Sequence, residues 1–330
     1  MSSENKPATL INAQTQLNLA IQNWKLYLED QGSSIHTVKA FIGDLNLLAS
    51  YLPPDQKIGS ITTRDLNNFL DWMQHRRGVP CSPKTLSRRI TSLKSFFRWL
   101  MTYGAVIVDP AEKVVQKSVR SPLPAVMYPK ETQAALDAAE RYRYQDEPDA
   151  RYYTLLKLLL DTGIKKGELL TLTTKHIDLN APGGPILFVR YANPKYRYKE
   201  RKIDLTEEWL EAYDEYAGQY DLSEKLFPWS PRRLEYLLQD IGEEIGLEDQ
   251  LSFLMCRWTC ALNDLTGGME PNKIRQKLGI SEIQWREVRL KLRRLAGNED
   301  DEDDEDLELT DMDKEYAEEE SVSYTHLTLP

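Results

Sequence analysis

Residues 82–102 read Ser82-Pro83-Lys84-Thr85-Leu86-Ser87-Arg88-Arg89-Ile90-Thr91-Ser92-Leu93-Lys94-Ser95-Phe96-Phe97-Arg98-Trp99-Leu100-Met101-Thr102. A hydroxyl side chain followed by proline is a helix opening. Ser82 can accept from the unpaired N–H groups of the first turn, and Pro83 lacks the N–H that would find no partner there. Leu86, Ile90, Leu93, Phe97 and Leu100 then recur at helical spacing and form one apolar stripe. Lys84, Arg88 and Thr91 fall at i, i+4 and i+7, with Arg89, Lys94 and Arg98 alongside. The spacing predicts a helix packed on one side and basic on the other.

Working outward, the same periodicity recurs. Leu17, Ala20, Ile21, Trp24 and Leu28 predict a helix over 14–28, closed by Gly32. A second helix starts near Ser34 and carries Val38, Phe41, Leu45 and Leu48 before the turn at Pro53-Pro54. Thr62 opens a third through Leu66, Phe69, Leu70 and Met73. Residues 14–104 therefore read as one four-helix unit, preceded by a polar, flexible segment 1–13. Residues 105–128 hold Pro110, Pro122 and Pro124 with Lys113, Lys117 and Arg120, and read as an extended basic linker.

Beyond the linker, 129–297 reads as a second, mostly helical domain. Helices are predicted over Pro129–Arg141 and Ala150–Thr162, and again from Glu207, Ser230, Gln250, Pro271 and Ser281. Between them Ile186–Val189 and Arg201–Leu205 read as a small hairpin around a basic turn. The fold class is mainly α with a small β-hairpin (α+β).

The chain has 330 residues, 41 % of them apolar, and a formal net charge of −10. That average hides an asymmetry: residues 298–330 contain 15 acidic residues and one lysine, whereas residues 1–128 contain 15 Lys/Arg against 9 Asp/Glu. A basic N-terminal half keeps a polyanion partner in play, and the acidic run 298–330 reads as a disordered tail. The final stretch Val322–Pro330 changes character abruptly and resembles vector read-through. No apolar run approaches the roughly 20 residues of a membrane span, so no membrane partner is expected. Cys81, Cys256 and Cys260 form no Cys-x-x-Cys pair, and only four histidines are present. Neither a metal nor a small-molecule cofactor is expected, and the thiols fit a reducing, cytoplasmic setting.

The order of these segments resembles the tyrosine recombinases of the phage integrase type, Xer-like proteins among them. In the first unit the likeness rests on Tyr27, Gly32-Ser33, Thr37, Asp44-Leu45, Ile61-Thr62, Asp65-Leu66, Ser82, Thr85, Arg88-Arg89 and Ser95-Phe96-Phe97. Asp109-Pro110 stands where the family usually has Asn-Pro. In the second domain Asp161-Thr162-Gly163-Ile164-Lys165-Lys166-Gly167-Glu168-Leu169-Leu170 is similar to the family's Thr-Gly-Leu-Arg-x-Ser-Glu-Leu box, and Lys199-Glu200-Arg201 followed by Ile203 and Leu205 looks like its basic hairpin. The resemblance implies a SAM-like helical core-binding domain, a recombinase catalytic-type domain, duplex DNA as partner, and self-association on DNA or a recombinase partner.

The family's reaction is a metal-free transesterification in which a tyrosine oxygen attacks a phosphodiester. Charge building on the phosphoryl oxygens calls for fixed cationic donors, preferably forked guanidinium groups, and the leaving oxygen needs a proton. The resemblance assigns these roles to two arginines, a lysine, two histidines and the tyrosine. Residue by residue, the first arginine's position holds Lys165, the hairpin lysine is Lys195 or Lys199 with Lys195 the better match, and Arg257 matches the second arginine. Leu254 and Ile280 replace the histidines, and Arg289 stands where the nucleophile belongs. No tyrosine lies between Tyr236 and Tyr316. Lys165, Lys195 and Arg257 are thus expected to be catalytic remnants. Lys84, Arg88, Arg89, Lys94, Arg98, Arg197, Lys199, Arg201 and Arg286 are expected to contact DNA, with tyrosines interleaved in the hairpin to pack on sugar and phosphate. Three readings compete: a DNA-binding recombinase relative impaired in cleavage, an active recombinase with a relocated or trans-supplied tyrosine, and a helical scaffold without DNA.

Overall fold

The computed structural model describes residues 11–79, 81–115, 122–222 and 224–297. Most of the N-terminal segment, the middle of the linker and the acidic tail predicted above lie outside the described residues. The chain divides into two compact units between residues 121 and 122.

The first unit is helical. Its elements are α1 (Leu17–Asp30), α2 (Ile35–Tyr51), α3 (Thr63–His75) and α4 (Pro83–Thr102). Each of the last three opens on a hydroxyl cap: Ser34 accepts from the Thr37 N–H, Thr62 and Asp65 form a capping box, and Ser82 accepts from the Thr85 N–H. The apolar stripes converge on Trp24, Leu45, Leu66, Phe69, Leu93, Phe96 and Phe97, all buried. Trp24 sits edge-on to Phe96 with ring centroids 5.3 Å apart and stacks on Phe41 at 5.8 Å.

The second unit is built around one buried helix. Its elements are α5 (Pro129–Arg141), α6 (Arg151–Thr162), α7 (Lys166–Leu169), β1 (Ile177–Asp178), β2 (Ile186–Val189), β3 (Arg201–Asp204), α8 (Glu207–Gln219), α9 (Pro231–Glu244), α10 (Phe253–Thr266), α11 (Pro271–Leu278) and α12 (Glu282–Leu295). Helix α6 is apolar nearly all round, and α5, α8, α9 and α10 pack against it. The strands form an antiparallel sheet in the order β1-β2-β3, with Leu187 opposite Ile203 and Val189 opposite Arg201.

The sequence pattern gave a two-stranded hairpin; the third strand is two residues long, too short to carry a period-2 signal. The same brevity hides the four-residue α7. Helix α10 begins at Phe253, three residues after its predicted start, because Ser252 caps it by accepting from the Met255 N–H. Among the described residues no helix is long and apolar enough to cross a membrane.

Candidate functional site

The corner between α6 and α7 gathers charge. Helix α6 ends at Gly163, whose backbone is left-handed with φ +58°. A Cβ there would lie 3.1 Å from both the Cys260 sulfur and a Leu278 methyl, so only glycine lets the chain turn this close to α10 and α11. Lys165 is then the N-cap of α7, and Glu168 reaches back to accept its backbone N–H at 2.7 Å.

Glu168 is the hub. Arg201 on β3 donates both terminal nitrogens to its two carboxylate oxygens, each at 2.9 Å, and the Tyr191 hydroxyl donates to the same group. The Arg201 Nε donates to the Lys277 carbonyl at 2.6 Å, which ties α7, the hairpin and α11 together. Arg257 on α10 donates to the carbonyls of Gly163 and Leu278, the latter at 2.7 Å. Lys199 is 6 % exposed and lies over the rings of Tyr196 and Tyr198 at 5.3 Å.

Four cationic side chains thus surround one carboxylate. Burial would push Glu168 up, but the hydrogen-bonded Arg201 and the charges of Arg257 and Lys165 hold it down at about 2. Burial and the adjacent Arg257 pull the Lys165 amine down to about 7, against the counter-pull of Glu168. Burial and then Lys165 pull Lys199 down to about 8. The arrangement suits an anionic ligand: positive charge is concentrated, partly desolvated and held by short elements.

The expected residues distribute unevenly. Lys165, Lys199, Arg201 and Arg257 meet in this cluster, whereas the side chain of Lys195 lies outside what the structure describes. Arg201 was expected on the DNA side; its guanidinium is instead consumed by Glu168 and a carbonyl. Arg257 likewise spends both terminal nitrogens on carbonyls. Leu254 is half-exposed on α10, Ile280 follows the left-handed Gly279, and Arg289 and Arg286 are exposed on α12. Arg197 is exposed beside the hairpin.

Helix α4 revises one expectation. Arg89 precedes Ile90 and lies four residues before Leu93, so it borders the apolar stripe and is buried. Its Nε lies 3.5 Å from Asp44, and Arg88 donates to both Asp44 oxygens at 2.7 and 3.0 Å. The Ser92 hydroxyl donates to Asp44 at 2.8 Å. Arg88 and Arg89 therefore turn inward to fasten α4 to α2, while Lys84 and Arg98 are exposed and Lys94 is half-buried. Sequence reasoning missed the anchoring role of Asp44; an acid embedded among Phe41, Leu45 and Leu48 was the available signal.

Comparison with known proteins follows the same division. A family model described as the phage integrase N-terminal SAM-like domain matches residues 21–104, and one described as the phage integrase family matches residues 125–286. Tyrosine recombinase XerC of Staphylococcus carnosus is 26 % identical over 254 residues, covering 74 % of this chain and 83 % of that protein. XerC of Mycobacterium bovis is 32 % identical over 148 residues, 44 % of this chain, and the match spans only 49 % of that relative. Among solved structures, a lambda integrase dimer bound to a COC′ core site superposes with a TM-score of 0.65 at 16 % identity, covering 87 % of this chain and 80 % of that one. The Tn1549 transposon integrase in complex with transposon right end DNA superposes with a TM-score of 0.64 at 17 % identity, covering 86 % and 100 %.

Proposed function

Because the chain belongs to the phage integrase family of tyrosine recombinases, we propose that it binds duplex DNA in recombination or integration and is impaired in strand cleavage. The observation that carries the second half is Arg289, an exposed arginine on α12 at the position the resemblance gives to the nucleophile. A guanidinium cannot form the phosphotyrosine link. The neighbouring losses point the same way: Lys165 keeps charge but not the bidentate fork, and Leu254 and Ile280 offer no proton or donor. Tyr191, the tyrosine bonded into the cluster, makes a poor substitute. Burial and the Glu168 carboxylate push its hydroxyl well above the ordinary phenol range, and that hydroxyl already donates to Glu168.

DNA affinity is assigned to exposed cations: Lys84 and Arg98 on α4, Arg197 beside the hairpin and Arg286 on α12. Lys94 and Lys199 contribute charge from partly and fully buried positions, and association with a second copy or a recombinase partner on DNA follows from the family role. Two measurements test the reading. Each phosphate contact removed lowers the log–log salt slope of binding by about 0.9, so Lys84→Ala with Arg98→Ala is expected to lower it by nearly twice that. An unchanged slope and affinity would remove α4 from the interface. A suicide duplex is expected to give no phosphotyrosine adduct with the full chain; an adduct mapped to any tyrosine would restore the protein to the cleaving recombinases.

A further inference from the structure

The hairpin carries Tyr191, Tyr196 and Tyr198, and their exposure grows outward from the buried cluster. Tyr191 and Tyr196 are half-buried with ring centroids 6.0 Å apart, whereas Tyr198 is 64 % exposed. We propose that Tyr198 is a stacking platform for a nucleobase outside the duplex stack, so that the protein prefers DNA carrying an unpaired base to a fully paired duplex. The inference rests on the DNA-binding reading above.

Three observations carry it. First, the exposed ring is joined to the cationic cluster. Tyr191 donates to Glu168 at the centre of that cluster and packs on Tyr196. The Lys199 ammonium then lies 5.3 Å from the ring centroids of both Tyr196 and Tyr198. Contacts thus run without a break from the buried carboxylate to an exposed ring, and a strand whose phosphates are drawn to the cluster brings its bases within reach of that ring. Second, the ring is held in place. Lys199 is 6 % exposed, so its ammonium is a fixed cation against the ring. The 3-10 turn Pro194–Lys199 is tied by the Tyr196 N–H to the Asn193 carbonyl and by the Glu200 N–H to the Arg197 carbonyl, each at 3.0 Å. The Tyr191 N–H donates to the Glu200 carboxylate at 3.0 Å. A platform held this way loses little freedom when a base lands on it. Third, Arg197 is exposed in the same turn and offers a guanidinium to the phosphate beside such a base.

The ligand follows from what a ring can reach. Both faces of a paired base are covered by its neighbours in the stack, so a tyrosine stacks on a base only where that base is unpaired or terminal. Extruding a paired base costs unpairing and unstacking, and that cost is least for a base without a partner. Stacking on one aromatic side chain tightens binding by about fivefold to about 150-fold per base and is tolerant of sequence, because every base has a π-face. In an intact duplex the cost of extrusion offsets this gain. With an unpaired base the gain is expressed as a preference. Packing of the ring on sugar and phosphate alone gives no preference, because paired and unpaired strands present the same backbone.

The test uses the full chain and two duplexes of the same sequence and ends, one of them with a single extra, unpaired adenine at its centre. The native chain is expected to bind the bulged duplex at least about fivefold more tightly. Tyr198→Phe keeps the ring and is expected to keep the preference. Tyr198→Leu is apolar but has no π-face, and is expected to abolish the preference while intact-duplex binding persists. With 2-aminopurine as the extra base, its emission is expected to fall on binding the native chain or Tyr198→Phe and to stay unchanged with Tyr198→Leu. Equal affinity of the native chain for the two duplexes, or a preference undiminished in Tyr198→Leu, overturns the platform and leaves DNA binding standing. An equal loss on both duplexes in Tyr198→Leu assigns the ring to the backbone and overturns it as well. Absence of binding to either duplex refutes the DNA-binding reading, and the platform falls with it.

Discussion

Replacing Asp44 by alanine is expected to unfold the first unit well before the second. Asp44 is 3 % exposed and accepts from Arg88 at 2.7 and 3.0 Å and from Ser92 at 2.8 Å, with Arg89 at 3.5 Å. The side chains of Arg88 and Arg89 are only 18 and 10 % exposed, so both guanidinium charges have little water to fall back on. Removing one partner of a buried ion pair leaves the other charge uncompensated and costs about 3–5 kcal/mol. In a unit of this size each kcal/mol moves the midpoint by about 4–8 °C, so the Asp44→Ala transition is expected at least about 12 °C lower. Scanning calorimetry of the full chain resolves it, and replacing Asp44, Arg88 and Arg89 together by apolar residues of similar volume is expected to recover much of the loss. A drop below about 3 °C would mean that the arginines are solvated. It would refute the anchoring argument and return Arg88 and Arg89 to an open basic face.

Gly279→Ala is expected to destabilise the second unit by at least about 1–2 kcal/mol from its left-handed backbone alone. With φ +59°, a Cβ there would also lie 2.5 Å from an Arg201 terminal nitrogen and drive that guanidinium off Glu168. Glu168, held at about 2 against an ordinary 4.5, contributes stability that is fully present above about 4.5 and lost as pH falls toward about 2. Glu168→Gln is expected to flatten acid unfolding of the second unit across that window in urea titrations. The Lys165 shift has the same sign but costs stability: with its amine at about 7 when folded and 10.5 when unfolded, the cost is full below about pH 7 and stability rises with pH between those values. Lys165→Met is therefore expected to raise the melting temperature most below about pH 7, with the gain shrinking toward about pH 10.5; a gain independent of pH would contradict the burial of a suppressed charge.

Local signals in the chain determined the helices. Ser82-Pro83, Thr62 with Asp65 and Ser34 act within a few residues of themselves, and the apolar stripes need only the helical repeat, so the bundle of the first unit and the longer helices of the second, though not the four-residue α7, were legible without any long-range contact. The family likeness was legible too, because it lies in short boxes kept in order. Tertiary structure alone decided which charges face inward. Lys84 and Arg88 share one helical face in sequence, yet one is exposed and the other is bound to Asp44 from a helix more than 40 residues away. Arg201 and Arg257 read as ligand-binding cations until Glu168, Gly163 and Leu278 arrive from other elements to occupy them. The altered amine of Lys165 arises the same way. Its proton affinity depends on burial and on Arg257 and Arg201, which lie 92 and 36 positions away in the chain. Periodicity reports a residue's own direction on its element; a charge's state depends on what packs against it, and that is set only when distant segments meet.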